Sequence, residues 1–219
     1  MIGTLVRWPV IVRKGRSQPP TGRWHEWKEI IAGHCEGQCI YCAIHESRFG
    51  GIRNFHVEHF RPKSNEAFAH LEDDINNLYL ACAICNVLKS DDWPGEPAAD
   101  HSAPAYPDPF ITDYNSLFAI SASTREVYSP TVAGSYLIER LILNRPQLLL
   151  ERRFEAMLLF QEEFEDWIES CLDQITRAEQ EETMATLLEV SRSARKAIKS
   201  RPYRDSDTKR LTSKAKKRR

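Results

Sequence analysis

From residue 77 the chain reads Asn77-Leu78-Tyr79-Leu80-Ala81-Cys82-Ala83-Ile84-Cys85-Asn86-Val87-Leu88-Lys89, an apolar run of strand length that ends in a two-cysteine knuckle and continues into polar residues. A matching knuckle, Cys39-Ile40-Tyr41-Cys42, lies upstream. Each places two thiolates on one tight turn, the spacing a tetrahedral zinc needs. Ordinary zinc ribbons separate their knuckles by about 15 to 20 residues, whereas here 39 residues, 43 to 81, intervene. Something is inserted between them.

The insertion carries a second strand-like stretch, Asn54-Phe55-His56-Val57-Glu58-His59-Phe60, followed by Arg61-Pro62-Lys63-Ser64. The two runs predict a hairpin, with a helix starting near Cys85 or Asn86. A carboxylate beside an imidazole, and an amide just after a zinc knuckle, supply two oxygen ligands and one base. His56 stands two residues before Glu58, so strand alternation directs both to one face and makes His56 a possible further ligand or water-steering group. Cys35, four residues before Cys39, is an alternative to it as a ligand, and Cys171 reads as a core residue.

Around this centre the chain divides into an N-terminal packing segment over 1–33, the zinc-knuckle core over 34–92, a wrapping loop over 93–134, a helical region over 135–200 and a basic tail over 201–219. In the first, Trp24, Trp27, Ile30 and Ile31 have helical spacing. Pro94, Pro97, Pro104, Pro107 and Pro109 exclude a regular helix from the start of the third. In the fourth, Leu137, Ile138, Leu141 and Ile142 form one stripe, and Asn144 with Pro146 stops that helix and caps the next. Phe154, Met157, Leu158, Phe164, Trp167, Ile168, Cys171, Leu172 and Ile175 predict the buried face of a long helix, with a further helix over about 178–199. The fold class expected is α+β and mostly α.

The formal charge of −1 conceals an asymmetry: thirteen basic residues from Arg192 onward face only Asp205 and Asp207, so this end carries +11 and the rest −12. A tail of this kind is either a solvated, disordered terminus or a contact for a polyanion. No run of about 18 apolar residues offers a membrane span, and the first residues lack the pattern of a signal peptide. The expected compartment is the cytoplasm, where paired cysteines more often hold metal than form disulfides.

The tracts VEHFRPKS and NLYLACAICNVLK, with Asp92-Trp93-Pro94, Tyr106-Pro107-Asp108-Pro109, Leu143-Asn144-Arg145-Pro146 and Arg152-Arg153, resemble the HNH endonuclease superfamily, and within it the HNH subunits of Septu-like and retron-linked anti-phage systems. The resemblance implies a small ββα-metal core with a structural Zn²⁺ on Cys39, Cys42, Cys82 and Cys85. It implies Glu58 and Asn86 as ligands of a catalytic Mg²⁺ or Mn²⁺, His59 as general base, and Asn77 as the brace of the hairpin. Glu58 stands where Asp is commoner, which lengthens that ligand by one methylene. Arg61, Lys63 and Lys89 are candidate contacts for substrate phosphate. The activity implied is phosphodiester hydrolysis in nucleic acid, with DNA expected, in a defence setting where an ATPase partner often accompanies the nuclease. A non-catalytic zinc module that binds nucleic acid, and a regulated subunit of an ATPase–nuclease complex, are the alternatives.

Overall fold

The computed structural model describes residues 7–11, 17–174 and 183–199. The basic tail and Ile175 lie outside the described residues. The chain forms two compact units, Met1–Leu150 and Glu151–Arg219.

The first unit is built on an antiparallel hairpin. Strand β1, Phe55–His59, pairs with β2, Leu78–Cys82, in a register that sets Phe55 opposite Cys82 and His59 opposite Leu78. Every residue of β2 is buried, which is why the sequence there reads as an unbroken apolar run. Helix α2, Ala83–Lys89, follows without a loop because the Cys82 side chain caps it, its Sγ accepting from the Cys85 N–H at 3.5 Å. The helix therefore begins two residues earlier than its polar residues suggest. β1, β2 and α2 make a ββα unit.

Upstream, Trp24–Glu26 forms a separate 3-10 turn, and α1, Lys28–His34, buries Ile31 against the hairpin. Trp27 and Ile31 reach the core, whereas Ile30 is exposed and Trp24 half-buried, so the four do not share one helical face. Trp8 is buried and donates its indole N–H to the carbonyl of Tyr41 at 3.0 Å, which ties the chain's beginning to the first knuckle.

The Pro-rich loop contains only the single turn α3, Tyr114–Leu117, and leads to a two-residue hairpin of β3, Ala119–Ile120, and β4, Val127–Tyr128. Helix α4, Val132–Arg140, starts where the Thr131 side chain accepts from the Gly134 N–H at 3.1 Å. Its end is a Schellman turn: Leu143 N–H returns to the Ile138 carbonyl at 2.9 Å and Ile142 N–H to the Glu139 carbonyl at 3.2 Å. The left-handed position of such a turn usually holds glycine, yet here it is Ile142, at φ 46° and half exposed. A β-branched residue there costs roughly 1–2 kcal/mol, and the turn it makes drives Leu143 fully into the core. The Asn144 amide pairs with both backbone groups of Val127, at 2.7 and 2.9 Å, fixing β4 to the turn, and Arg145 takes the position before Pro146.

Helix α5, Pro146–Gln174, leads into the second unit, which also contains α6, Thr183–Lys199. Within that unit the two helices meet along a polar seam. Glu165 accepts from Ser191 Oγ at 3.2 Å and from Arg195 at 2.8 Å, Gln161 donates to the Ser191 carbonyl, and Arg195 also pairs with Glu162. This overturns part of the expected buried face. Phe154 and Ile168 are buried, but Met157, Phe164 and Trp167 are exposed, and Phe160, Phe164 and Trp167 stack in a row along the outer side. Aromatic spacing alone cannot tell which of two helical stripes faces a partner whose own contacts are polar. Among the described residues no helix is long and apolar enough to cross a membrane.

Candidate metal centre and catalytic site

The two knuckles converge. The ligand atoms of Cys39, Cys42, Cys82 and Cys85 all lie within 4.8 Å of one another, every one of the four is buried, and none forms a disulfide. Cys35 is buried too but belongs elsewhere: its Sγ accepts from the Leu80 N–H at 3.4 Å. Burial pushes the Cys39 thiol well up, while hydrogen bonds from Cys39, Cys42 and Cys85 hold Cys82 far below the usual thiol range. Four buried sulfurs at this separation fit a tetrahedral thiophilic ion such as Zn²⁺.

Glu58 is turned inward from β1 and is 4% exposed. Lys89, on the last turn of α2, places Nζ 2.7 Å from its Oε1 and 3.2 Å from the His59 carbonyl oxygen. The Tyr41 hydroxyl, from between the first two zinc-type cysteines, also donates to Oε1 at 3.3 Å. Both contacts use one oxygen and leave Oε2 to another partner. Burial raises the affinity of Glu58 for a proton, and Lys89 and Tyr41 offset this only in part. Lys89 is itself fully buried, which places its ammonium at Glu58 and away from the surface where a phosphate contact would stand.

His59 is half-buried, and its Nε2 lies 3.0 Å from the carbonyl oxygen of Glu72. A carbonyl can only accept, so Nε2 carries the hydrogen and the neutral ring keeps Nδ1 as a free acceptor. Burial lowers the imidazole's proton affinity, the Glu72 carbonyl opposes this, and the net effect is a ring that is neutral at pH 7. Trp24 meets the ring edge-on with centroids 5.0 Å apart, and donates its indole N–H to Glu72 Oε1 at 3.2 Å. The N-terminal segment thus walls the histidine as well as packing the core.

Asn77 holds the loop end of the hairpin, next to the His59–Leu78 pair. Its Oδ1 accepts from the Arg61 N–H at 2.8 Å, and its Nδ2 donates to the Arg61 carbonyl at 3.0 Å and to that of Leu71 at 3.4 Å. With the Phe60 N–H on the Asn77 carbonyl at 2.9 Å, the side chain extends the strand pairing past His59. Asn86 is half-buried on α2, one turn before Lys89, and its side chain makes no hydrogen bond among the described residues.

The structure therefore brings Glu58, the His59 backbone and the α2 helix together through Lys89, and turns the His59 ring toward Glu72. His56 is exposed although strand alternation pairs it with Glu58. Arg61 and Lys63 stand at the surface in ion pairs, Arg61 with both oxygens of Glu96 at 3.1 and 2.8 Å, and Lys63 with Glu72 at 2.8 Å and over the Trp24 ring at 4.4 Å. An exposed single-contact pair such as Lys63–Glu72 adds little stability, whereas the two-pronged Arg61–Glu96 contact is the stronger geometry.

Sequence reasoning missed several residues that shape the two sites. Tyr41 was legible only as a spacer within a knuckle, and Trp24 and Glu72 carry no motif. Arg145 is the largest omission: its guanidinium lies 3.6–3.8 Å from the sulfurs of Cys42, Cys82 and Cys85.

Residues 39–92 match the HNH endonuclease family. The match begins at the first thiol of the four-cysteine cluster, contains the hairpin and α2, and ends at Asp92. No curated protein matches the chain, and no solved structure does.

Proposed function

We propose that this protein is a metal-dependent HNH endonuclease that hydrolyses phosphodiester bonds, with DNA as substrate. The observation that carries the reading is the His59 ring: a backbone carbonyl occupies Nε2 and leaves a neutral Nδ1 as the acceptor, inside the segment that matches a nuclease family. A general base must be unprotonated at working pH and fixed in orientation, and the lowered proton affinity of His59 and its bond to the Glu72 carbonyl support both.

His59 accepts a proton from water on Nδ1, and the resulting hydroxide attacks phosphorus as the bond to the departing 3′ oxygen breaks. Glu58, through Oε2, and Asn86, through its unengaged amide oxygen, are the residues that would hold Mg²⁺ or Mn²⁺. A bound divalent ion would supply positive charge against the negative charge that develops as the phosphodiester bond breaks. Asn77 keeps the strand end rigid, and Arg61 and Lys63 exchange their carboxylate partners for flanking phosphates. Cys39, Cys42, Cys82 and Cys85 hold a structural Zn²⁺, a closed four-thiolate site with no open position for substrate.

A second reading is favoured by one specific feature. The Lys89 ammonium already neutralises Glu58, so the site is stable as a hydrogen-bonded network with no catalytic ion, as in a zinc module that only binds nucleic acid. Incubation of supercoiled plasmid with Mg²⁺ or Mn²⁺, beside an EDTA control, separates the two. Metal-dependent nicking supports the nuclease, and retention of plasmid without cutting supports the module. The resemblance of these tracts to Septu-like and retron-linked proteins supports a role in anti-phage defence beside an ATPase, for which co-purification with the product of the neighbouring gene is the test.

A further inference from the structure

Arg145 enters the thiol cluster from the turn between α4 and α5, far in sequence from either knuckle. Nη2 lies 3.7 Å from Cys42 Sγ, 3.8 Å from Cys82 Sγ and 3.6 Å from Cys85 Sγ, and Nη1 lies 3.7 Å from Cys85 Sγ. Nη1 also donates to the Leu141 carbonyl at 3.2 Å and the Ile142 carbonyl at 3.5 Å, which clamps the fork onto its own turn. Among the described residues no carboxylate pairs with this guanidinium, and its Nε is buried without a hydrogen-bond partner. The residue is half-buried, and the groups that face its partly desolvated guanidinium are the three sulfurs, which can supply negative charge.

The approach is built by the backbone. The strained Ile142 position closes the Schellman turn, Leu143 anchors it in the core, Asn144 pins it to Val127, and Arg145 follows directly. A metal bound by four thiolates carries two negative charges in excess, and hydrogen bonds to the sulfurs spread that charge and lower their nucleophilicity.

We propose that Arg145 is an outer-sphere positioning residue of the four-thiolate metal centre, holding three of its sulfurs by charge-assisted hydrogen bonds and coupling metal retention to docking of the α4–α5 turn. This rests on the reading of the four cysteines as a zinc site. With Arg145 in place the sulfurs are shielded from electrophiles and the ion is retained; without it the centre binds metal but loses it faster.

The test uses the full chain loaded with zinc, with release followed by a chromophoric chelator during titration with an organomercurial, in the wild type, Arg145→Lys and Arg145→Met. All three are expected to bind zinc at the cysteines. Arg145→Met should release it about 10–100-fold faster, the range for loss of an outer-shell partner, and Arg145→Lys, which keeps the charge and loses the fork, should fall between. In Co²⁺-loaded samples the sulfur-to-cobalt charge-transfer bands should shift in both variants. Wild-type release and unshifted bands in Arg145→Met, with metal bound, overturn the role of Arg145 and leave the zinc reading intact. A wild-type protein that takes up no metal overturns both. Should Arg145→Met not fold, the bands of Arg145→Lys decide: shifted they support the proposal, unshifted they overturn it.

Discussion

Lys89 Nζ lies 2.7 Å from Glu58 Oε1, with the two side chains 0% and 5% exposed. A pair this far from water gains from its own attraction only what it loses in desolvation, and so adds little net stability. Removing one partner is different, because the other charge is stranded. Lys89→Met is therefore expected to cost about 3–5 kcal/mol, and the double variant Glu58→Gln/Lys89→Met to cost much less. Urea denaturation of the two single variants and the double one checks this. Additive losses would show that the two groups do not depend on each other.

Asn77 satisfies three backbone groups at the end of the hairpin. Asn77→Ala leaves the Arg61 N–H and two carbonyls without that partner, at roughly 1–3 kcal/mol in unfolding experiments. It should also lower nuclease activity by more than it lowers zinc content, because the strand end that carries His59 loosens while the knuckles do not. Equal loss of both would make Asn77 a general stabiliser only.

Asp92 gives a pH dependence away from the metal ligands. Its burial opposes ionisation, but hydrogen bonds from Tyr136, Tyr106 and Arg140, with the Arg140 charge, win and hold the carboxyl below its ordinary value of 3.8. A group whose folded value is depressed contributes stability that is complete above the unfolded value and is lost as pH falls through the folded one. Comparing urea midpoints of wild type and Asp92→Asn from neutral pH down to about pH 3 should show the gap constant at first, then closing below the ordinary carboxylate range. A gap that persists unchanged in acid would remove Asp92's charge from the account.

The hairpin and the knuckles were legible because each rests on local pattern, two thiols on one turn and an apolar strand buried on both faces; the helix after them was expected, but its earlier start was not, because Cys82 caps it through sulfur. What eluded the sequence lies in pairings between distant segments. Arg145 is separated from Cys85 by 60 residues, and nothing near it marks a guanidinium that faces sulfur. Lys89 reads as a surface cation until the position of Glu58 beneath it is known. In α5 the sequence offers two helical stripes. The hydrophobic one, through Met157, Phe164 and Trp167, is exposed, because Glu165 and Gln161 find Ser191 and Arg195 on α6. Hydropathy ranks single residues, and that seam is decided by polar partners.

The measurement that bears most directly on the central claim is plasmid nicking by wild type and His59→Ala with Mg²⁺ or Mn²⁺, with zinc content determined on the same samples. Loss of the general base should slow cutting by about 10²–10⁴-fold while zinc content stays at the wild-type level. Cutting by His59→Ala at the wild-type rate would contradict the assignment.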